Sequence, residues 1–537
     1  MEIDLLIKNG MVYDGGNVPS FRADIGISGG SITLVGKFDG REPDLSIDAR
    51  GLAVSPGFID THAHSDFTLV ADPRAEGKIC QGITTEINGN CGMSAAPLHG
   101  MTRERREEDL RELGIRERWS TLTEYFTLLE KRGIGLNIAT LAGHGNIRGS
   151  VRGDGDRGPS GREQRAMRDL LREATEEGAI GLSTGLIYPP GIYSDAGELA
   201  ELSKVLKEGG LIYTSHMRSE GDRLTEAVGE VIEIGRKAGV KVHISHIKAA
   251  GKRNWQKADK VCSMLDEARS SGVRLTCDRY PYTASATDLD AILPSWVYEG
   301  GNEEEMKRLR DEVTRARIAE EMGQQVLSDD YWKGVIISSV VSEENRWMEG
   351  KTVADIGGRL GLDGIGLVFR VLVEENLRVG AIFMSMSEGN LLKFLSLPFC
   401  MIGSDSSARC FDGPTKTRKP HPRAFGTFPR FFGRYVRGEG LVDLSEAVYR
   451  ATMLPAQTFG LAGRGRLAEG MRADITVFDP GKVLDRASFE DPFRMPEGIR
   501  YVLVNGVPAL WDGSFTGRLA GKVLRGKARQ QGATCSK

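Results

Sequence analysis

G-F-I-D-T-H-A-H-S-D, residues 57–66, decides the reading of this chain. His62 and His64 stand two positions apart, and side chains on a strand alternate with a period of two, so both point to one side. The apolar run from Leu52 to Ile59, broken by Ser55-Pro56-Gly57, delivers the pair to the carboxyl end of a candidate strand. Two imidazoles at that spacing suit one borderline-soft ion such as zinc; a chance pair in a turn is the competing reading.

Downstream, strand-like runs keep alternating with helical patterns. The runs lie at 57–62, 84–90, 135–142, 180–183, 211–216, 241–246, 275–278 and 399–405, and amphipathic stretches such as 162–175, 224–238 and 255–268 fall between them. Parallel strands need such crossovers, so the chain is expected to be an α/β protein with a TIM-like (β/α)8 barrel over residues 56–464. Nearly every candidate ligand then lies at the carboxyl ends of the strands, the face where such barrels place their sites. The charged, helical-looking stretch 289–349 exceeds an ordinary loop and reads as an inserted lid or small domain.

The ends differ in texture. Short apolar pieces at 5–7, 11–13, 25–27 and 32–35, punctuated by Asn9-Gly10 and Gly29-Gly30, give hairpin signals, and A-D-I-T-V-F-D-P and Y-V-L-V-N-G-V repeat the pattern after Arg472. Neither end has enough strands to bury a good core alone. Residues 1–55 and 465–537 are therefore expected to combine into one small β-sandwich-like domain rather than to form two separate ones.

Composition narrows the function classes. At 537 residues the chain exceeds the size of one core, which usually stops growing at about 250–300 residues. Lys plus Arg total 71 against 74 acidic residues, a net charge of -3, which argues against a nucleic-acid or anionic-membrane footprint. The seven cysteines include no C-x-x-C, and M-E-I-D-L lacks the basic and apolar parts of a secretory signal, so a reduced cytoplasm is expected. No stretch approaches the ~18 consecutive apolar residues of a membrane span.

Single residues at strand ends complete a candidate site. His216 ends L-I-Y-T-S-H and His246 ends K-V-H-I-S-H, two analogous strand termini separated by one helical segment. His243, three residues before His246, is expected to face the other side of its strand as an ordinary core or surface histidine. Asp405 closes F-C-M-I-G-S-D, where a carboxylate can bind a metal or take a proton from water; a turn or cap role is the alternative. Cys91 follows T-T-E-I-N-G-N and leaves the second candidate strand next to Gly92. There a metal would hold it as thiolate, whereas a buried inert thiol is the usual reading of a lone cysteine.

Together these pieces resemble the amidohydrolase superfamily and, within it, the N-acyl-D-amino-acid deacylases or D-aminoacylases. The resemblance runs through G-F-I-D-T-H-A-H-S-D, G-I-T-T-E-I-N-G-N-C-G at 82–92, G-H-G-N-I-R at 143–148, G-L-S-T-G-L-I-Y-P-P-G at 181–191, S-H-M-R at 215–218 and S-H-I-K at 245–248. It continues in Y-P-Y at 280–282, G-S-D at 403–405 and H-P-R-A-F-G-T-F-P-R at 421–430, and so covers nearly the whole chain. The resemblance implies a tightly held zinc on Cys91, His216 and His246. It also implies a second, weaker or empty position at His62 and His64 beside Asp405 as general base and acid. Many relatives bridge two metals with a carboxylated lysine on strand four; Ser183 stands there in this chain, which points to the Cys91 thiolate as the bridge.

By the same resemblance, Arg423, Lys248 and Tyr280 would surround a substrate α-carboxylate, with Tyr282 a close competitor for Tyr280; an arginine fork and a lysine point charge suit that task. His144 is read either as orienting the carbonyl or a metal ligand, or as a structural hydrogen-bonding residue. The basic stretch between Asp405 and His421, with Arg409, Lys416 and Lys419, departs from the family pattern and is either a pocket wall receiving acidic substrates or an exposed loop. The implied activity is zinc-dependent hydrolysis of N-acyl-D-amino acids to a carboxylate and a D-amino acid, with the small-molecule substrate as the partner. A hydrolase of cyclic amides or dipeptides and a noncatalytic scaffold are the alternatives.

Overall fold

The structure, a computed structural model, describes residues 3–153, 155–325 and 329–526. Both chain ends enter one nine-stranded sheet. Its centre is the antiparallel pairing of Ala53–Pro56 with Ile475–Phe478, where Val54 opposes Val477. Strands Leu5–Val12, Phe21–Ser28 and Ser31–Gly36 extend it on one side, and Ile499–Val504, Val507–Trp511 and Ser514–Phe515 on the other. Ile7, Val12, Ile25, Val54, Ile475 and Leu503 share one buried cluster, so each end supplies apolar surface that the other needs.

Asn9-Gly10 departs from its hairpin reading. The strand Leu5–Val12 runs straight through it, with a register shift between Ile7 and Gly10 and Asn9 at φ 60°. This is a β-bulge, and a Cβ on Gly10 would lie 2.4 Å from Val54 Cγ2, so glycine is needed for close packing and not for a turn. The turn signal in V-N-G-V holds: Asn505 and Gly506 take φ of 50° and 80° between two paired strands.

The middle of the chain is parallel. Phe58–Asp60, Ile83–Asn88 and Asn137–Thr140 form one sheet, while Ala142–Gly143, Gly181–Gly185, Ile212–His216, Lys241–Ile244, Leu275–Arg279 and Cys400–Ile402 form another, each neighbour following in chain order. Two seams join them. At one, Leu141 N donates to Asn88 O and Ile180 N to Thr140 O, both at 2.9 Å. At the other, Asp405 N donates to His62 O at 2.7 Å, beside a parallel bridge between Ala63 and Ser406.

Crossover helices have ordinary local causes. Gly161–Glu177 starts at a Ser160/Glu163 capping box, and Leu224–Ala238 buries Val228, Val231 and Ile232 on one face before Gly239 stops it at φ 69°. Residues 285–383 hold a three-stranded antiparallel sheet, Ser285–Asp288, Gly380–Phe383 and Val335–Ser339, over a separate apolar cluster reaching from Leu289 to Phe383. This sheet and its apolar cluster extend beyond the charged stretch 289–349. Its last strand pairs with segments about fifty and ninety residues earlier, so no local turn signal marks it. Among the described residues no helix is long and apolar enough to cross a membrane.

Candidate metal centre and active site

The strand ends converge. Donor atoms of His62, His64 and Cys91, of Cys91, His216 and His246, and of His62, His246 and Asp405 form three groups, each with all its atoms within 4.8 Å of one another. Cys91 Sγ lies 3.3 Å from His62 Nε2 and 3.5 Å from His246 Nε2. His64 Nε2 is 3.2 Å and His62 Nε2 3.7 Å from Asp405 Oδ1. Cys91, His246 and Asp405 all have positive φ, at 54°, 37° and 51°. The chain turns sharply where it presents each group, and such strain clusters at functional sites.

Carboxylates behind the ring set its orientation. His246 Nδ1 lies 2.9 Å from Glu220 Oε1, and a proton donated there leaves the Nε2 lone pair free on the Cys91 side. Asp278 accepts from His246 N at 2.6 Å and faces His62 Nδ1 at 3.5 Å. It also holds His243 Nε2 at 2.8 Å. This corrects the expectation for His243: the strand ends at Ile244, so alternation no longer relates it to His246, and its ring faces the groups behind the site. Gly403 packs here as well, since a Cβ would meet His62 Cβ at 2.6 Å.

The donor set fits a borderline-soft metal. Both ring nitrogens of His216 and Nδ1 of His62 are buried without hydrogen-bond partners, an arrangement that costs free energy unless something else occupies them. Burial opposes ionisation of Cys91, but His62 and His246 hold its thiol well below the usual range. Ser183 accepts from Gly92 N at 3.0 Å and donates to Gly89 O at 2.5 Å. It braces the loop that carries Cys91.

The expected carboxylate-binding residues lie beside this cluster. Arg423 Nη1 is 2.9 Å from Asp405 Oδ2, and its guanidinium carbon sits 4.7 Å from the Tyr280 ring centroid. Arg423 Nε and Tyr280 Oη are buried without hydrogen-bond partners. Burial works against the charge on Asp405, yet Arg423 and the histidines hold it well below the usual carboxylate range. Lys248 is engaged: its ammonium pairs with Glu220 and lies 2.8 Å from His246 Nδ1.

Tyr282 turns toward Arg430, whose guanidinium carbon is 4.6 Å from its ring, and so leaves Tyr280 as the tyrosine next to Arg423. His144 falls outside the three donor groups; it is buried with Nε2 3.1 Å from Glu198 Oε1. In the basic stretch, Arg409 donates to the Thr417 carbonyl at 3.0 Å and Lys419 Nζ to the Glu490 carbonyl at 3.0 Å. Arg418 pairs with Glu349 of the inserted unit at 3.3 Å. Of these contacts, the Arg418 ion pair alone reaches residues 285–383; Arg409 braces its own stretch and Lys419 ties it to the segment at Glu490.

Sequence reasoning missed Asp278, Glu220, Asp60 and Lys78. Glu220 had a weak signal, four residues after His216. Asp60 shares the period-two face of His62. A lone Lys78 in a short helix carries none.

The sequence pattern of the amidohydrolase family matches residues 46–290 and 408–509. The chain belongs to the amidohydrolase family. This amidohydrolase is 37% identical to an N-acyl-D-glutamate deacylase of Alcaligenes xylosoxydans xylosoxydans, over 99% of this chain and 98% of that protein. It is 36% identical to a D-aminoacylase of the same organism, over 97% of each chain. A crystal structure of N-acyl-D-glutamate deacylase from Bordetella bronchiseptica, complexed with zinc and a phosphonate inhibitor that mimics the tetrahedral intermediate, superposes with a TM-score of 0.82 at 35% identity, covering 98% of this chain and 100% of that one.

Proposed function

We propose that this amidohydrolase hydrolyses the amide bond of N-acyl-D-amino acids, releasing a carboxylate and a free D-amino acid. The observation that carries the reading is the convergence of Cys91, His216, His246, His62, His64 and Asp405 in a chain similar over its whole length to an N-acyl-D-glutamate deacylase. Cys91, His216 and His246 would hold one tight zinc, and His62 and His64 a second, weaker position. When bound, the ion supplies Lewis-acid polarisation of the acyl carbonyl and lowers the pKa of water.

The chain's own residues do the rest. Asp405 takes the proton of the attacking water and returns it to the leaving amine. Arg423 offers its unfilled Nε–H to the substrate α-carboxylate, with the Tyr280 hydroxyl beside it. Lys248, held by Glu220 beside His246, is the second cation of this reading. His144, buried against Glu198, supports the wall and touches no reacting atom in this reading.

The same reading takes the two parallel sheets as one (β/α)8 barrel of residues 56–464 closed at the two seams, with residues 1–55 and 465–537 as the appended β-domain and tail, of which 1–2 and 527–537 lie outside the described residues, and the insertion as a lid. A cytoplasmic enzyme with a small-molecule partner, and neither nucleic-acid nor membrane binding, suits its near-neutral charge balance.

A paired panel of N-acetyl D- and L-amino acids, with acidic and apolar side chains and matching α-carboxamides, tests the function on wild type and Arg423→Met. Fixing the carboxylate and the acyl carbonyl leaves one direction for the side chain, so one enantiomer should dominate kcat/KM by about 10²-fold or more. D substrates with a free carboxylate are expected to lead, and Arg423→Met to erase that lead. Equal hydrolysis of the carboxamides, or a preference for L, rejects the specificity assigned here.

A further inference from the structure

Asp405 has a backbone φ of 51°, in the left-handed region. Aspartate tolerates that region better than most residues, but a strained residue persists only where its surroundings over-determine it. The surroundings here are a buried ion pair. Lys78 Nζ donates to Asp60 Oδ2 at 2.7 Å, to Ser404 Oγ at 2.8 Å and to the Ser406 carbonyl at 2.9 Å. The last two contacts fall on the residues either side of Asp405. Asp60 accepts from Ser404 N at 2.8 Å and Ser404 Oγ at 2.6 Å, and from His62 N at 3.2 Å. Glu86 Oε2, 3.6 Å from Lys78 Nζ, is the second acid facing the ammonium.

The pair is an expensive thing to bury. The side chains of Lys78 and Asp60 have 0% exposure, and well-packed apolar residues of similar volume commonly serve stability as well as or better than a buried ion pair. What apolar residues cannot do is grip backbone. Apart from Glu86, every named contact of the pair beyond its own ion contact reaches Ser404, Ser406 or His62 N. The clamp therefore ties the segment that presents His62 and His64 to the turn that presents Asp405.

We infer that Lys78 and Asp60 are positioning residues for hydrolysis, a buried clamp that fixes the turn through Ser404, Asp405 and Ser406 and with it the 3.2 Å approach of Asp405 to His64. The inference rests on the reading of Asp405 as the proton acceptor. Released from the clamp, the turn relaxes toward ordinary φ and carries the carboxylate off its station. A displacement near 1 Å lowers rate by about 10²-fold.

The test compares wild type with Ser404→Ala, which removes one hydroxyl and leaves the ion pair intact, and with the double replacement Asp60→Leu/Lys78→Met, which removes both charges of the pair together and leaves Glu86 as the remaining acid there. Each is assayed zinc-loaded for kcat, KM, zinc per chain and amide exchange over residues 404–406, with Asp405→Asn alongside. The expected result is kcat lower by about 10–100-fold, KM within about twofold, zinc content unchanged and exchange faster at that turn. Turnover per bound zinc within about twofold of wild type in both variants overturns the clamp, as does a loss of activity that only tracks a loss of zinc or of folded protein. Should the double variant fail to fold, Ser404→Ala decides. Inactive Asp405→Asn beside normally active clamp variants sinks the clamp alone, whereas near-normal turnover by Asp405→Asn removes the base assignment and the clamp with it.

Discussion

Asp405→Asn is expected to stay folded, hold zinc and bind substrate while turnover falls about 10²–10⁴-fold, the range that general acid–base catalysis contributes. Asparagine nearly matches aspartate in size, so the turn keeps its place beside His62 O, to which residue 405 donates its backbone N–H at 2.7 Å. What disappears is the negative charge that accepts the proton. Arg423, now paired with Asp405 at 2.9 Å, would lose that partner and remain available to a substrate carboxylate. KM should therefore not rise with the loss of kcat, the pattern of an interaction made in the transition state. Near-normal kcat between about pH 6 and pH 9, where an ordinary carboxylate is ionised, would contradict the role.

Cys91→Ala should cost most of the bound zinc, and hydrolysis with it, without unfolding the chain. The thiol belongs to two of the three donor groups, so its removal takes the anionic ligand from both positions at once. Losing an outer partner of a ligand typically lowers metal affinity about 10–100-fold, and losing a direct thiolate should exceed that. The fold should survive because alanine fits the buried place and the hydrogen-bonding neighbours of the thiol named above, among the described residues, are imidazole nitrogens of the site. Metal analysis after dialysis against a competing chelator reads the result. Full zinc stoichiometry at unchanged affinity would remove Cys91 from the centre.

The site is legible in sequence where chemistry and strand geometry coincide. His62 and His64 advertise themselves by their spacing, and His216 and His246 by ending analogous apolar runs. Cys91 and Asp405 stand where strands break into glycine-containing loops. The groups behind them are not legible, because their pairing depends on which strands become neighbours: Asp278 serves His62 and His246 from another strand, and Lys78 reaches Ser404 across 326 positions. Glu220 could be suspected from its spacing to His216 but not assigned to His246 and Lys248. In the fold, alternation of parallel strands and crossover helices is local and readable. The far edge of the insertion at Gly380–Phe383 is not, since it pairs with Ser285–Asp288 and Val335–Ser339 over long separations. His243 misleads for a related reason: its strand ends at Ile244, two residues before His246, so alternation does not relate the two histidines.

The most direct measurement is the release of free D-glutamate from N-acetyl-D-glutamate by chelator-stripped enzyme before and after zinc is restored. Little release from the stripped protein, recovery with added zinc and far slower cleavage of the L enantiomer are the predicted results. Equal rates with and without zinc, or faster cleavage of the L substrate, would contradict the account.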